Sequence, residues 1–196
     1  TTLFRSDVDL VVCTGGNNSL RQAMSCGKKV IGAGPANPVA MVDSTADLAK
    51  AARDIVQGAA FDNNLMCTSE KSIVVVNDVA EPFIYELLKN GVYYVKDAAE
   101  TEKLMKAAVT EDGLINKKLE GKSADEILAY AGIKCSSSVK LIVAETKRIH
   151  PFATMELLMP LVALVKAESF EEMLETALEL EQGYKHTATI HSESIE

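Results

Sequence analysis

The strongest constraint on this chain is a rhythm. Short apolar, β-branched runs recur at Val8 to Thr14, Lys29 to Ala33, Val39 to Val42, Ser72 to Val76, Val92 to Val95, Leu141 to Ala144, Leu161 to Val165 and Thr187 to Ile190. A short run of continuous apolar character reads as a strand buried on both faces. Stretches of helical period lie between most of them, near 79–90, 100–109, 123–131 and from Phe170 to about Gln182. Strands that alternate with helices imply an α/β domain with a mostly parallel sheet and helices on both faces.

Local signals mark the element ends. Asn17 or Asn18 is placed to cap a helix reaching about Cys26, with Gly27 as its C′ residue. Pro35 and Pro38 rule out regular helix across Gly32 to Pro38. Ser44 reads as an N-cap and Asp47 as a favourable first-turn charge. Ala46, Ala49, Ala52, Ile55, Val56 and Ala59 then form one apolar stripe. His150-Pro151-Phe152 reads as a loop.

Composition narrows the function. The formal net charge is −8, and the chain has five Tyr, five Phe and no Trp. That is a poor basis for a nucleic-acid surface built from basic patches and stacking rings. The longest apolar run, Leu157 to Val165, contains Pro160 and is half the length a membrane span needs. No secretory signal opens the chain. A strand so close to Thr1 suggests that residues precede it in a longer parent. Cys13, Cys26, Cys67 and Cys135 contain no C-x-x-C pair, and His150, His186 and His191 lack zinc-ligand spacing. The reading is free thiols in a reducing cytosol, with no metal site.

Ligands of open parallel sheets bind at the carboxyl ends of strands. Three loops are candidates on that rule: Thr14-Gly15-Gly16, the Gly32 to Pro38 segment, and the loop carrying Cys67. Gly32-x-Gly34 lacks the third glycine of a dinucleotide fingerprint. Cys67 is open to two readings, a nucleophile in a polar loop or a small buried hydrophobe. Cys13 belongs to the core, and nothing marks Cys26 or Cys135 as reactive. The three histidines read as surface or structural groups. Glu156 lies between Met155 and Leu157-Leu158-Met159 and needs a partner there, a ligand hydroxyl being one candidate.

Taken together, the motifs resemble one family. Thr14-Gly15-Gly16, Ile31-Gly32-Ala33-Gly34-Pro35-Ala36-Asn37-Pro38, Asp43-x-x-Ala46-Asp47, Phe61-Asp62-Asn63-Asn64-x-x-Cys67-x-x-Glu70-Lys71, His150-Pro151-Phe152, Glu156-Leu157-x-Met159-Pro160 and His186-Thr187-Ala188-x-Ile190-His191-Ser192 occur in its order. The chain resembles CoA-acylating aldehyde dehydrogenases of the ethanolamine- and propanediol-utilisation type, from about Asp7 to Glu196. The resemblance implies a three-layer α/β catalytic domain over residues 32–196, with residues 1–31 closing a coenzyme-binding domain whose earlier part is absent, as is a C-terminal tail. It implies NAD as cofactor, coenzyme A as co-substrate and a short aliphatic aldehyde as substrate. It also implies a homo-oligomeric cytoplasmic parent, with a microcompartment shell or an alcohol dehydrogenase as candidate partners. Cys67 matches the catalytic thiol, and Thr14, Gly15, Gly16, Gly32 and Glu156 match cofactor-side positions. Glu156 corresponds to the glutamate of Glu-x-Phe-Gly-Pro, with Leu158 and Met159 replacing Phe and Gly. The water-activating glutamate of hydrolytic relatives falls on Gly32, which cannot act as a base. The alternatives are an inactive assembly module and a hydrolytic dehydrogenase, the latter disfavoured by Gly32. The 196 residues alone are expected to be inactive.

Overall fold

The computed structural model describes residues 8–135 and 138–195, with the side chain of Asn17 left aside. Chain contacts divide into two compact units, Thr1–Ala36 and Asn37–Glu196. The sequence reading ends the first unit after residue 31. In the structure a strand continues through Ala33, so Gly32 and Ala33 belong with the residues before them.

In the first unit, β1 (Leu10–Thr14) and β2 (Lys29–Ala33) pair in parallel through the connecting helix α1 (Asn17–Met24). Gly16 caps α1 in extended backbone without a side-chain hydrogen bond, so neither asparagine is the cap. Asn17 and Asn18 instead lie in the first turn. Cys13 pairs with Gly32 across the two strands. A Cβ added to Gly32 would stand 2.2 Å from Leu20 Cδ1 of α1, so the glycine lets helix and strand approach.

In the second unit, β3 (Val39–Val42), β4 (Ser72–Val76), β5 (Val92–Val95), β6 (Leu141–Glu145), β7 (Leu161–Ala167) and β8 (Ala188–His191) form one sheet. Its order is β5-β6-β7-β4-β3-β8, and every neighbouring pair is parallel. The two-residue alternation of the strands splits the core in two. Ile73, Val75, Val143 and Leu164 pack with α2 (Leu48–Ala60) and α3 (Asn77–Lys89). Val74, Ile142, Ala163 and Val165 pack with α4 (Ala98–Ala108), α5 (Ala124–Tyr130), α6 (Pro151–Thr154) and α7 (Phe170–Glu181). The result is the expected three-layer α/β arrangement. Fully burying each aliphatic side chain of the sheet is worth about 1.5–3 kcal/mol, offset by the entropy of ordering it.

Two local expectations need correction. The N-cap of α2 is Asp47, whose Oδ1 accepts from Lys50 N at 3.0 Å, and not Ser44. Asp43 Oδ1 accepts from Thr45 N and Oγ1 at 2.8 and 2.7 Å, and this turn occupies the residues where the helix was expected to begin. Starting at Leu48 rotates the stripe, so Ala51 is buried and Ala49 exposed. Pro151–Thr154 is one helical turn rather than loop, capped by His150 Nδ1, which accepts from Phe152 N at 3.1 Å.

Candidate active site

In the first unit, Thr14 ends β1, and Gly15 N donates to Ala33 O at 3.2 Å. The Gly15-Gly16 turn therefore sits at the carboxyl end of the parallel pair. Open space lies where a Cβ of Gly16 would be, and Gly16 caps α1 without a side-chain hydrogen bond. Backbone donors at such a helix start suit a phosphate or a carbonyl oxygen.

The Cys67 loop sits elsewhere than the carboxyl-end rule suggests. It leaves α2 and enters β4, and a helix returning before a parallel strand must deliver the chain to the strand's amino end. Lys71 N and Ser72 N donate to Pro38 O at 2.8 and 3.3 Å, tying the loop to the amino end of β3. Glu156 precedes β7 and His186 precedes β8, so both belong to the same amino edge. His191 closes β8 at the opposite edge.

The loop is built on an unusual turn. Phe61–Asn64 form a tight turn in which Asp62, Asn63 and Asn64 have φ of 47°, 51° and 63°. Asn and Asp tolerate this left-handed region better than other side-chain-bearing residues, which explains the Asp-Asn-Asn run. Asn64 is buried. Its Nδ2 donates to Ala59 O at 2.7 Å and to Glu70 O at 3.0 Å, bracing the loop from inside. Asn63 Nδ2 donates to Gly121 O at 2.9 Å. Cys67 follows, half-buried like the other three free thiols, so exposure alone does not single it out.

Lys71 is the residue that sequence reasoning missed as an individual. It is 3% exposed, where a lysine is ordinarily at the surface. Its Nζ donates to Asn64 O at 2.7 Å, Asn64 Oδ1 at 2.6 Å and Met66 O at 3.0 Å, which uses all three ammonium protons. Burial pushes its pKa down to about 8, while the charges of Glu156, Cys67 and Glu70 pull it back up. That coupling brings the sequence-predicted Glu156 and Cys67 into electrostatic reach of one ammonium. Glu70 lies beside them, with its pKa raised by burial, and its Oε2 has no hydrogen-bond partner among the described residues. Gly58 of α2 makes room for it, since a Cβ there would stand 2.4 Å from Glu70 Oε2.

Beneath the loop, buried Asn37 joins three elements. Its Nδ2 donates to Ala153 O at 2.9 Å and Leu180 O at 2.7 Å, and Ser72 Oγ donates to Ala153 O at 3.1 Å. Glu156 itself is half-buried, and two residues on Leu158 takes φ of 54° while its carbonyl accepts from Gly121 N at 2.9 Å. His150 caps α6 with its ring edge-on to Phe152, and burial lowers its pKa. His186 Nδ1 meets Thr187 Oγ1 at 2.8 Å on an exposed surface. Among the described residues no group of three or more His, Cys, Asp or Glu could hold a metal ion, and no helix is long and apolar enough to cross a membrane.

Within the second unit, a free thiol on a cross-braced loop and an acid acting on the same ammonium suit nucleophilic attack on a carbonyl. Residues 2–196 match the model of the aldehyde dehydrogenase family, and the chain belongs to that family. It is 42% identical over 189 residues to the CoA-propanoylating propanal dehydrogenase of Salmonella typhimurium, covering 96% of this chain and 40% of the relative. Among solved structures, the propionaldehyde dehydrogenase of Rhodopseudomonas palustris with bound propionyl-CoA superposes with a TM-score of 0.95 at 41% identity, covering 99% of this chain and 43% of that one. A propionaldehyde dehydrogenase from the fucose-utilisation microcompartment of Clostridium phytofermentans gives 0.92 at 38% identity, covering 97% and 43%. The chain spans about two fifths of the length of these relatives.

Proposed function

We propose that this chain carries the catalytic part of an NAD-dependent aldehyde dehydrogenase that converts a short aliphatic aldehyde to its acyl-CoA, with Cys67 as nucleophile. The observation that carries the reading is the Cys67 loop itself, a thiol on a cross-braced left-handed turn with the charges of Cys67 and Glu156 acting on one buried ammonium. The relationship to CoA-acylating propanal dehydrogenases supports the choice of acceptor.

Cys67 Sγ, as thiolate, forms a bond to the aldehyde carbon, and the carbonyl electron pair moves to oxygen. NAD, when bound, supplies the acceptor for the hydride that leaves that carbon. Cys67 then holds the acyl group as a thioester. The thiolate of coenzyme A attacks the thioester carbonyl, and Cys67 leaves as thiolate, ready for another aldehyde. In the first unit the Thr14-Gly15-Gly16 turn would hold the cofactor, its backbone donors unobstructed by a Gly16 side chain. In the second, the Glu156 carboxylate would accept from ribose hydroxyls. Gly32 offers no base to activate water, so product leaves to the thiol. The domain assignment, the first unit closing a coenzyme-binding domain and the second catalytic, belongs to the same proposal. So do a homo-oligomeric parent and a place inside a microcompartment, which the Clostridium phytofermentans relative supports.

The test uses the full-length gene product with NAD and propanal, with and without coenzyme A, following reduced nicotinamide optically. Sustained turnover that requires coenzyme A and is abolished by Cys67→Ala is expected; sustained turnover without coenzyme A overturns the acylating assignment. The 196-residue chain alone is expected to produce no reduced nicotinamide.

A further inference from the structure

We infer that Lys71 is a positioning residue for the reaction, holding the Cys67 thiol in attacking geometry by locking the carbonyls of Asn64 and Met66. The inference rests on the reading of Cys67 as nucleophile.

Three observations lead to it. First, the Lys71 ammonium bonds to main-chain oxygens at Asn64 and Met66, the latter next to Cys67, and its third proton goes to the Asn64 side chain. No proton is left for a distant partner, so the side chain is committed to the shape of this loop. Second, that shape is costly. Asp62, Asn63 and Asn64 stand in left-handed backbone, and such residues persist only where their surroundings over-determine them. Lys71 and Asn64 supply that over-determination as crossed braces: Asn64 ties Ala59 to Glu70, and Lys71 ties Asn64 to Met66. Third, a buried lysine is an expensive brace if shape is all that is needed, because an ammonium 3% exposed has lost most of its hydration. A neutral amide carries only two N–H groups and cannot satisfy these three oxygens at once, so the ammonium is the side chain that fits. The charges of Glu156 and Cys67 oppose the effect of burial, which would otherwise push it further toward the neutral form.

The role is positional rather than catalytic in the strict sense. Lys71 touches neither substrate nor reacting atoms, and acts through the backbone on either side of Met66. Small displacements of a nucleophile cost orders of magnitude in rate, since near-attack geometry requires placement to within a fraction of an ångström.

The experiment compares Lys71→Met, an apolar side chain of similar length, and Lys71→Gln, a neutral donor, with the wild type in the full-length protein. Two readouts separate positioning from mere folding. One is the second-order rate of Cys67 alkylation by iodoacetamide, resolved by peptide mapping against Cys26 and Cys135 in the same sample. The other is the split between kcat and KM for propanal. The expected result is a loss of tenfold or more in both Cys67 alkylation and kcat. KM for propanal should change less than twofold, and labelling of Cys26 and Cys135 should be unaltered. If Lys71→Met does not fold, Lys71→Gln, which buries no charge, carries the same test. Wild-type alkylation and kcat at Cys67 in either folded variant overturns the inference. Failure of the underlying reading looks different: turnover would survive Cys67→Ala in the wild-type background, whatever Lys71 does.

Discussion

Asn37 lends itself to a quantitative test because its partners are few and buried. It is 1% exposed, and its amide donates to Ala153 O at the end of α6 and to Leu180 O near the end of α7. Replacing it by Leu keeps the volume and removes both donors. Each lost bond costs about 0.5–1.5 kcal/mol net, and a carbonyl left buried without a partner costs about 1–3 kcal/mol. Ala153 O keeps the Ser72 hydroxyl at 3.1 Å, which lessens its penalty. Asn37 Oδ1 has no hydrogen-bond partner among the described residues, so its removal returns part of the cost. The net expectation is a loss of about 1.5–3 kcal/mol. At about 2–4 °C per kcal/mol for a protein of this size, Tm should fall by about 3–12 °C. Asn37→Asp adds a pH signature. A carboxylate facing two carbonyls must hold a proton, so its folded pKa lies above the unfolded value of about 3.9. As pH rises through that interval the unfolded chain gives up its proton first, and stability falls. Urea melts at pH 4 and pH 7 should therefore show the Asp deficit growing with pH, while the Leu deficit stays constant. A Leu variant losing less than about 0.5 kcal/mol, or an Asp deficit independent of pH, would refute the assignment of Asn37 as a cross-link between α6 and α7.

Two further outcomes follow from the same neighbourhoods. Burial raises the pKa of Glu70, so the folded state gives up this proton later than the unfolded chain and is destabilised as pH climbs above the usual carboxylate range. Glu70→Gln should raise Tm relative to wild type at pH 7 and lose that advantage near pH 4; equal differences at both pH values would contradict it. At Gly32, a side chain would meet Leu20 Cδ1, and overpacking of this kind costs about 1–3 kcal/mol. Gly32→Glu is therefore best made with Leu20→Ala, where the ratio of free acid to acyl-CoA should rise. A ratio unchanged from that of Leu20→Ala alone would show that Gly32 has no part in excluding water as acceptor.

The strands of the second unit were legible because a strand buried on both faces must be apolar at every position, as Ser72 to Val76 nearly is. The helix interiors followed from their stripes, but their starts did not. Ser44 and Asp47 are equally good caps by composition, and the choice was made by the Asp43–Thr45 turn, a local hydrogen-bond competition invisible to periodicity. Cys67 could not be separated from a buried hydrophobe by residue type, and only the joined motifs singled it out. Lys71 and Asn37 were hidden for a shared reason: a polar residue reads as surface until the groups that satisfy it, 5 to 143 residues away in sequence, are brought beside it. The edge on which Cys67 stands was implicit all along, since a loop between a helix and the following parallel strand has no choice of end.

That placement also decides the local electric field. Helices that connect parallel strands run against them, so α2 ends at Ala60, just before the Cys67 loop, and α3 and α7 end at the same amino edge before β5 and β8. Helix ends of this polarity present unpaired carbonyls and partial negative charge. The carbonyl ends of these three helices suit cations better than anions. An ammonium drawn in among carbonyl oxygens, as Lys71 is, agrees with the field it inherits. An anionic group arriving there, whether thiolate or carboxylate, meets the carbonyl ends of α2, α3 and α7 and not their N–H ends.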